Sequence, residues 1–341
     1  MHICFAGSPI HLICFKEFIF RHKIKKYKIY LLSSTNSRTN KQLYQTIKFL
    51  NLKNVKKIIW HRLKFLQFFQ RYKFLLEIYF LHKNDNCVFL ISDFRNTILH
   101  QIRILFKKSK FILIDEGSQI PEFYKECFKK NIFFPYKNFD NFFGKIKLLI
   151  NYGFKLDFLI NFKFHLFTIY GKELNLEYKN HNRLEFLKDY IKPSSEYCKS
   201  FVYFLGSKFF EQNLLTINEE INSLKKVINY WKKKNKRIVY IAKRTESKKK
   251  INIIKKIGVE VIVNDLPVEL QFLKNSKFKV PEIICSFGSA ADKTFPMIYK
   301  GSKVNLIIIR ELIKYDFFSN YFKFYKELMF KAKLEKNIIE L

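Results

Sequence analysis

Short apolar runs alternate along the chain with longer stretches in which apolar residues recur every three or four positions. HICFAG (2–7), KIYLLSS (28–34), NVKKIIW (54–60), NCVFLIS (86–92) and KFILIDE (110–116) have the length of strands, and most end beside Ser, Gly or an acid. Such runs, bounded by turn residues, are read as buried strands. Between most of them lie stretches such as PIHLICFKEFIFRHK with helical spacing. Strand and helix in alternation predict right-handed crossovers and a parallel sheet.

A second series begins after residue 199, with SFVYFLGS (200–207), KRIVYIAK (236–243), GVEVIVN (258–264), PEIICSFGS (281–289) and KVNLIII (303–309). Helical segments such as EEINSLKKVINYWKKK separate these runs. The stretch KDYIKPSSEYCKS (188–200), where Pro193 and two serines break the periodicity, divides the two series. The expectation is an α/β protein of two domains, residues 1–192 and 193–341, with a cleft between them. Residues 125–190 blur into Phe- and Lys-rich sequence read as helices with loops. The stretch from Tyr315 to Lys336 reads as an amphipathic helix that packs on the second domain or crosses back to the first.

At 341 residues the chain has length for roughly two domains of ordinary size. An apolar fraction of 48% excludes a disordered chain. Charge changes the picture more: 64 Lys and Arg face 29 Asp and Glu, a formal balance of +35. That surplus favours polyanionic neighbours such as anionic phospholipid, a nucleotide or nucleic acid. An AT-rich coding bias produces the same Lys, Asn, Ile and Phe enrichment, and composition leaves both origins open.

Residues 1–20 have no basic start and no small-residue cleavage site, so no signal peptide is expected. No apolar run reaches the roughly 18 residues of a spanning helix. A soluble protein inside the cell is expected, with charge able to hold it at a membrane surface. Six cysteines show no CxxC pair, which predicts reduced core thiols rather than a zinc site or a disulfide framework.

In parallel α/β sheets ligands sit beyond the carboxyl ends of the strands. Asp115-Glu116-Gly117 falls at such an end. One carboxylate there is placed to take a proton from a substrate hydroxyl, with Gly117 allowing a tight turn; alternatively Asp115 caps the next helix. In the second half, Gly206-Ser207, Lys243-Arg244 and the stretch Ser286-Phe287-Gly288-Ser289-Ala290-Ala291 also stand at strand ends. Backbone N–H groups, a helix start and two cations at one level of a sheet suit an anion such as a phosphate. Taken singly, each also reads as an ordinary turn or a solvated charge. There is no DxD pair, no GxxxxGK[ST] loop and no GxGxxG fingerprint, so neither metal-dependent transfer nor P-loop hydrolysis is supported. All eight histidines lie at or before residue 181.

The ordered set AGSPIHLICFKEFI, IDEG (114–117), FLGS (204–207), YIAKRTES (240–247), DLPVE (265–269) and SFGSAAD (286–292) resembles the bacterial sialyltransferase-like glycosyltransferases of family 52, the lipooligosaccharide sialyltransferase group. The resemblance covers most of the chain as an order of short motifs. It implies a GT-B fold of two Rossmann-like domains whose parallel sheets face an interdomain cleft, with the acceptor on the first domain and the nucleotide sugar on the second. It implies a metal-independent, inverting transfer of sialic acid or a related nonulosonic acid from a CMP-sugar to a glycan hydroxyl, with no cofactor. By the resemblance Asp115 is the general base, with Glu116 as support or substitute. Gly288 and Ser289, with Ser286, hold the donor phosphate, while Gly206, Ser207 and Arg244 line the nucleotide. Glu269 contacts the nucleoside; a helix start capped by Asp265, with Pro267 in the first turn, is compatible with that role.

The sequence departs from the family at YIAKRTES, where Lys243 and Arg244 stand in place of the family's His-Pro or His-Arg pair. An ordinary Lys, with a pKa of about 10.4, balances the phosphate charge without readily giving up its proton. The departure leaves open a hexosyltransferase using another nucleotide sugar, or a catalytically degenerate protein that binds glycan or nucleic acid. Against a nucleic-acid binder, the aromatics sit inside apolar runs rather than interleaved with Arg. A phosphorylated glycolipid acceptor would suit a cationic protein held at the inner face of the cytoplasmic membrane.

Overall fold

In a computed structural model the chain forms two compact units, Met1–Arg183 and Leu184–Leu341. The structure describes residues 1–33, 36–61, 63–93, 96–117, 119–128, 164–190, 197–272 and 279–341. The domain break expected at 192/193 and most of the Phe- and Lys-rich stretch between 125 and 190 lie outside the described residues.

The first unit carries six strands: β1 (His2–Ala6), β2 (Tyr27–Leu32), β3 (Val55–Ile58), β4 (Val88–Ile91), β5 (Lys110–Ile114) and β6 (His165–Phe167). They form one sheet in the order β3-β2-β1-β4-β5-β6, every neighbour parallel. The second unit repeats the plan with β7 (Tyr197–Leu205), β8 (Arg237–Ala242), β9 (Glu260–Val263), β10 (Val280–Ser286), β11 (Lys303–Ile308) and β12 (Ile338–Glu340). Their order is β12-β11-β10-β7-β8-β9, again all parallel. Counted from its own first strand, the first sheet has the doubly wound order 3-2-1-4-5-6 of dinucleotide-binding domains, and the second reads 3-2-1-4-5-6 from its β9 edge. The order reverses between β1 and β4 in one unit and between β7 and β10 in the other.

Burial explains why the strand runs are continuous rather than alternating. Residues Phe89, Leu90 and Ile91 on β4 are fully buried, as are Ile3, Cys4 and Phe5 on β1, because helices cover both faces of a parallel sheet. The helix Ile217–Lys232 starts with a capping box in which Thr216 and Glu219 satisfy each other's free amides. Its face Ile221, Leu224, Val227 and Trp231 enters the core of the second unit.

The C-terminal helix is observed over Asp316–Lys331, and Phe318, Phe322, Tyr325 and Met329 bury its inner face in that same core. It thus packs on its own unit. Among the described residues the cysteines are all free thiols, and all but Cys198 are buried. No helix among the described residues is long and apolar enough to cross a membrane.

Candidate functional site

At the end of β5, Asp115 is fully buried. Its Oδ2 accepts the Ile169 amide at 3.0 Å and faces the Cys14 thiol at 3.5 Å, while Oδ1 accepts the Thr168 hydroxyl. Burial pushes this carboxyl up to about 6, against the opposing pull of those donors and of Asn182. The donors come from the first helix and from the chain leaving β6, not from the helix Gln119–Phe123 that follows, so the helix-cap reading of Asp115 is not what is observed. Thr168 in turn holds the chain from residue 180 to 182: its amide donates to Asn180 and its carbonyl accepts from Asn182. Asp115 is therefore a polar pin joining three segments of the first unit. Its neighbour Glu116 is half-buried.

The second unit gathers most of the remaining predicted residues around its β7/β10 switch point, where doubly wound sheets place their ligands. Beyond β10, Ser286 donates its hydroxyl to Asp292 Oδ2 at 2.7 Å and accepts the Gly288 amide at 2.8 Å. The Ser289 amide reaches the same Asp292 oxygen at 2.9 Å, and the Ser289 hydroxyl accepts the Ala291 amide at 3.3 Å. One buried carboxylate at the start of helix Ala291–Ile298 thus folds the loop back on itself. Gly288 is required there: its φ is +117, and a Cβ would fall 2.7 Å from the Tyr325 ring. The Tyr321 hydroxyl closes the turn by donating to the Gly288 carbonyl at 2.9 Å.

Lys243, just past β8, stands over this arrangement electrostatically. Burial lowers its ammonium, and the carboxylates of Glu246 and Asp292 work in the opposite direction. Burial raises Asp292 to about 6, opposed by its Ser286 and Ser289 hydrogen bonds and by the Lys243 charge. Asp292 Oδ1 is buried and has no hydrogen-bond partner among the described residues.

Arg244 has the same relation to Glu269, a buried carboxyl that burial raises and that a 2.9 Å hydrogen bond from Thr294 and the Arg244 charge pull down. Thr294 belongs to helix Ala291–Ile298, so Glu269 and the Ser286–Asp292 loop share one support. The short helix Val268–Gln271 after β9 has Pro267 rather than Asp265 at its cap position.

Two predicted contacts are used internally. The Gly206 amide donates to Ile241 at 2.9 Å, and a Cβ on Gly206 would strike Glu246 Oε1 and the Tyr240 hydroxyl. Gly206 therefore permits close approach of a side-chain network rather than offering its N–H to a ligand. Ser207 donates its hydroxyl to Glu220 and its carbonyl accepts from Lys250 at 2.6 Å. Beneath both lies a buried ionic cluster in which Lys250 Nζ meets Glu220 at 2.9 Å, Glu211 at 3.0 Å and Glu246 at 3.7 Å. Glu246 also accepts the Lys243 amide at 2.8 Å and the Tyr240 hydroxyl at 2.9 Å, and burial pushes it up to about 7.

A protein assigned as a UDP-N-acetylglucosamine 2-epimerase from Listeria monocytogenes matches 99% of this chain and 90% of its own, with a TM-score of 0.53 and 8% identity. The UDP-GlcNAc 2-epimerase from Neisseria meningitidis, bound to UDP-GlcNAc, matches 100% of this chain and 95% of its own, with a TM-score of 0.50 and 11% identity. The fold is of the GT-B type. No protein-family model matches the sequence, and no curated protein matches it. Identities this low speak for the architecture alone.

Three further residues stand near the ends of the second unit's strands, Asp292, Glu246 and Thr294, to which the motifs gave no role. Asp292 ends the SFGSAAD motif, and its part as the acceptor that folds the loop shows only in the structure. Glu246 takes its partners from within six residues, Tyr240, Lys243 and Lys250, while Thr294 gains its role only when helix Ala291–Ile298 meets Glu269 in the helix after β9.

Proposed function

We propose that this chain is a glycosyltransferase that uses a nucleotide sugar, sialyltransferase-like in chemistry, moving sialic acid or a related nonulosonic acid from a CMP-sugar to a hydroxyl of a surface glycan such as lipooligosaccharide. The observation that carries the reading is that Lys243, through Asp292, and Arg244 and Glu269, through Thr294, are drawn to the same helix Ala291–Ile298 that follows the Ser286–Ser289 loop at the end of β10. The donor phosphate takes its charge balance from Lys243 and Arg244 and a hydrogen bond from the Ser289 hydroxyl, which accepts the Ala291 amide and keeps its own proton to give. Glu269 faces the nucleoside.

In the first unit the base is assigned to Glu116 rather than Asp115. A carboxylate with both oxygens engaged and no exposed surface cannot reach an acceptor hydroxyl, whereas the half-buried Glu116 next to it is held in place by that pinned neighbour. The acceptor O–H gives its proton to Glu116, the oxygen bonds to the anomeric carbon, and the bond from that carbon to the phosphate oxygen breaks. CMP leaves with the bonding electrons. Burial moves Lys243 in the direction of a better proton donor than an ordinary lysine, which supports it in the place of the family's histidine.

Mass-spectrometric detection of transfer from CMP-sialic acid to a galactose-terminated acceptor tests this. Glu116→Gln is expected to lower the rate by about 10²-fold or more while CMP still binds. A full rate in Glu116→Gln, with loss in a folded Asp115→Asn, would return the base to Asp115. Turnover of a UDP-sugar alone, with its sugar epimerised, would favour instead the reaction of the epimerases that share the fold.

A further inference from the structure

The helix Lys64–His82 in the first unit is apolar on two faces. Phe74, Leu75, Ile78 and His82 are buried and hold it to the sheet, Phe74 lying edge-on to Phe5, Tyr30 and Trp60. On the opposite side Phe65, Phe68, Phe69, Tyr72, Leu76 and Phe80 are exposed, Phe65 by 71%, Phe80 by 63% and Leu76 by 56%. Their spacing of three and four residues puts them on one stripe. The fifteen helical steps from Phe65 to Phe80 make that stripe about 22 Å long.

A stripe of that size exceeds the scattered apolar residues every surface carries and marks an interaction site. Its occupant is read from the charges around it. The helix has one carboxylate, Glu77, and Lys56 is paired with it. Lys73 and Lys83 are exposed on the helix and just beyond its end, Lys83 with its ammonium 5.4 Å from the centre of the Phe80 ring. An aromatic face bordered by lysines, on a helix whose one acid is paired, in a chain of net charge +35, matches an anionic bilayer, where rings settle among the headgroups and ammonium groups meet lipid phosphate.

We propose that the Phe65–Phe80 face of this helix docks the protein on the surface of an anionic phospholipid bilayer, with the helix lying in the plane of the interface. The proposal does not depend on the glycosyltransferase reading, because it concerns a different surface of the first unit and predicts binding without substrate.

The test is flotation of the full chain with vesicles of phosphatidylglycerol and phosphatidylcholine at about 0.5 M salt, where charge alone no longer suffices. Wild type is expected to float, and Phe65→Ser/Phe69→Ser/Phe80→Ser to lose at least tenfold in bound fraction with an unchanged circular dichroism spectrum. Phe330→Ser, a comparably exposed ring in the second unit, is expected to float as wild type does. Lys73→Glu/Lys83→Glu is expected to weaken flotation at about 0.1 M salt. In an otherwise wild-type chain, the fluorescence of the indole introduced by Phe69→Trp is expected to be quenched by brominated lipid, a readout that survives if the triple variant does not fold. Flotation of the triple variant at the wild-type level, or indole fluorescence in Phe69→Trp that brominated lipid leaves unquenched, would overturn the proposal. So would a wild-type dimer that the triple variant converts to monomer without any vesicle binding by either, since a second copy would then cover the face.

Discussion

The amide of Ser289 lies 2.9 Å from Asp292 Oδ2, and that same oxygen takes the Ser286 hydroxyl. The amides that a helix start would offer a phosphate are thus partly held by the chain's own carboxylate. Asp292 shapes the loop, and Lys243 balances its charge.

Asp292→Ala is predicted to leave the Ser289 amide and Ser286 hydroxyl without their acceptor and Lys243 without one of its two carboxylates. Unpaired buried groups cost roughly 1–3 kcal/mol each, so a stability loss of at least about 2 kcal/mol is expected in urea denaturation. Asp292→Asn keeps an acceptor oxygen and is predicted to lose less. Equal losses in the two variants would show that charge, not loop geometry, is what Asp292 supplies.

Asp115 predicts a pH effect of definite sign. Burial raises it from 3.8 to about 6, so the folded state keeps this proton to a higher pH than the unfolded chain does. Between about pH 4 and 6 the folded state binds more protons, and this residue's contribution to stability falls as pH rises, by up to about 1.4 kcal/mol per pH unit. Above that window the loss is complete. Asp115→Asn removes the titration, so the stability of the variant relative to wild type is expected to rise across this window and level off above it. Denaturation at several pH values measures this, and a flat difference would contradict it.

Much of the fold was legible because a parallel sheet buried on both faces writes its strands as continuous apolar runs. The missed strands, β6 and β12, are three residues each, too short for any periodicity to register. β7 begins at Tyr197, inside the stretch read as a linker, because Cys198, Lys199 and Ser200 are half-buried or exposed and lack the apolar signature. The site was legible only as a set of strand ends. Which of those residues face a ligand depends on who holds their hydrogen bonds, and the partners of Asp115, Gly206 and Ser207 lie dozens of residues away in most cases.

Lys250 is the cation that three glutamates share beneath the β7 and β8 ends. Burial opposes its charge, but Glu246, Glu220 and Glu211 outweigh that and raise the ammonium above its usual range. Lys250→Met is predicted to cost roughly 3–5 kcal/mol by leaving buried carboxylates unpaired. Thermal unfolding is the check. Adding Glu220→Gln should recover part of the loss, and a single-variant cost below about 1 kcal/mol would mean the cluster is neutralised by protonation instead.

A nucleotide held in the second unit by Lys243 and the Ser286–Ser289 loop, as proposed, must protect the chain against thermal unfolding. The measurement is the shift in unfolding temperature of the full chain with CMP, CDP, UDP and GDP, in wild type and in Lys243→Ala. Saturable stabilisation by CMP above the others is expected, weakened at least tenfold in apparent affinity by Lys243→Ala. Preference for UDP or GDP would keep the site and change the donor. No stabilisation by any nucleotide, or stabilisation that Lys243→Ala leaves untouched, would rule out a nucleotide held by Lys243 in this unit.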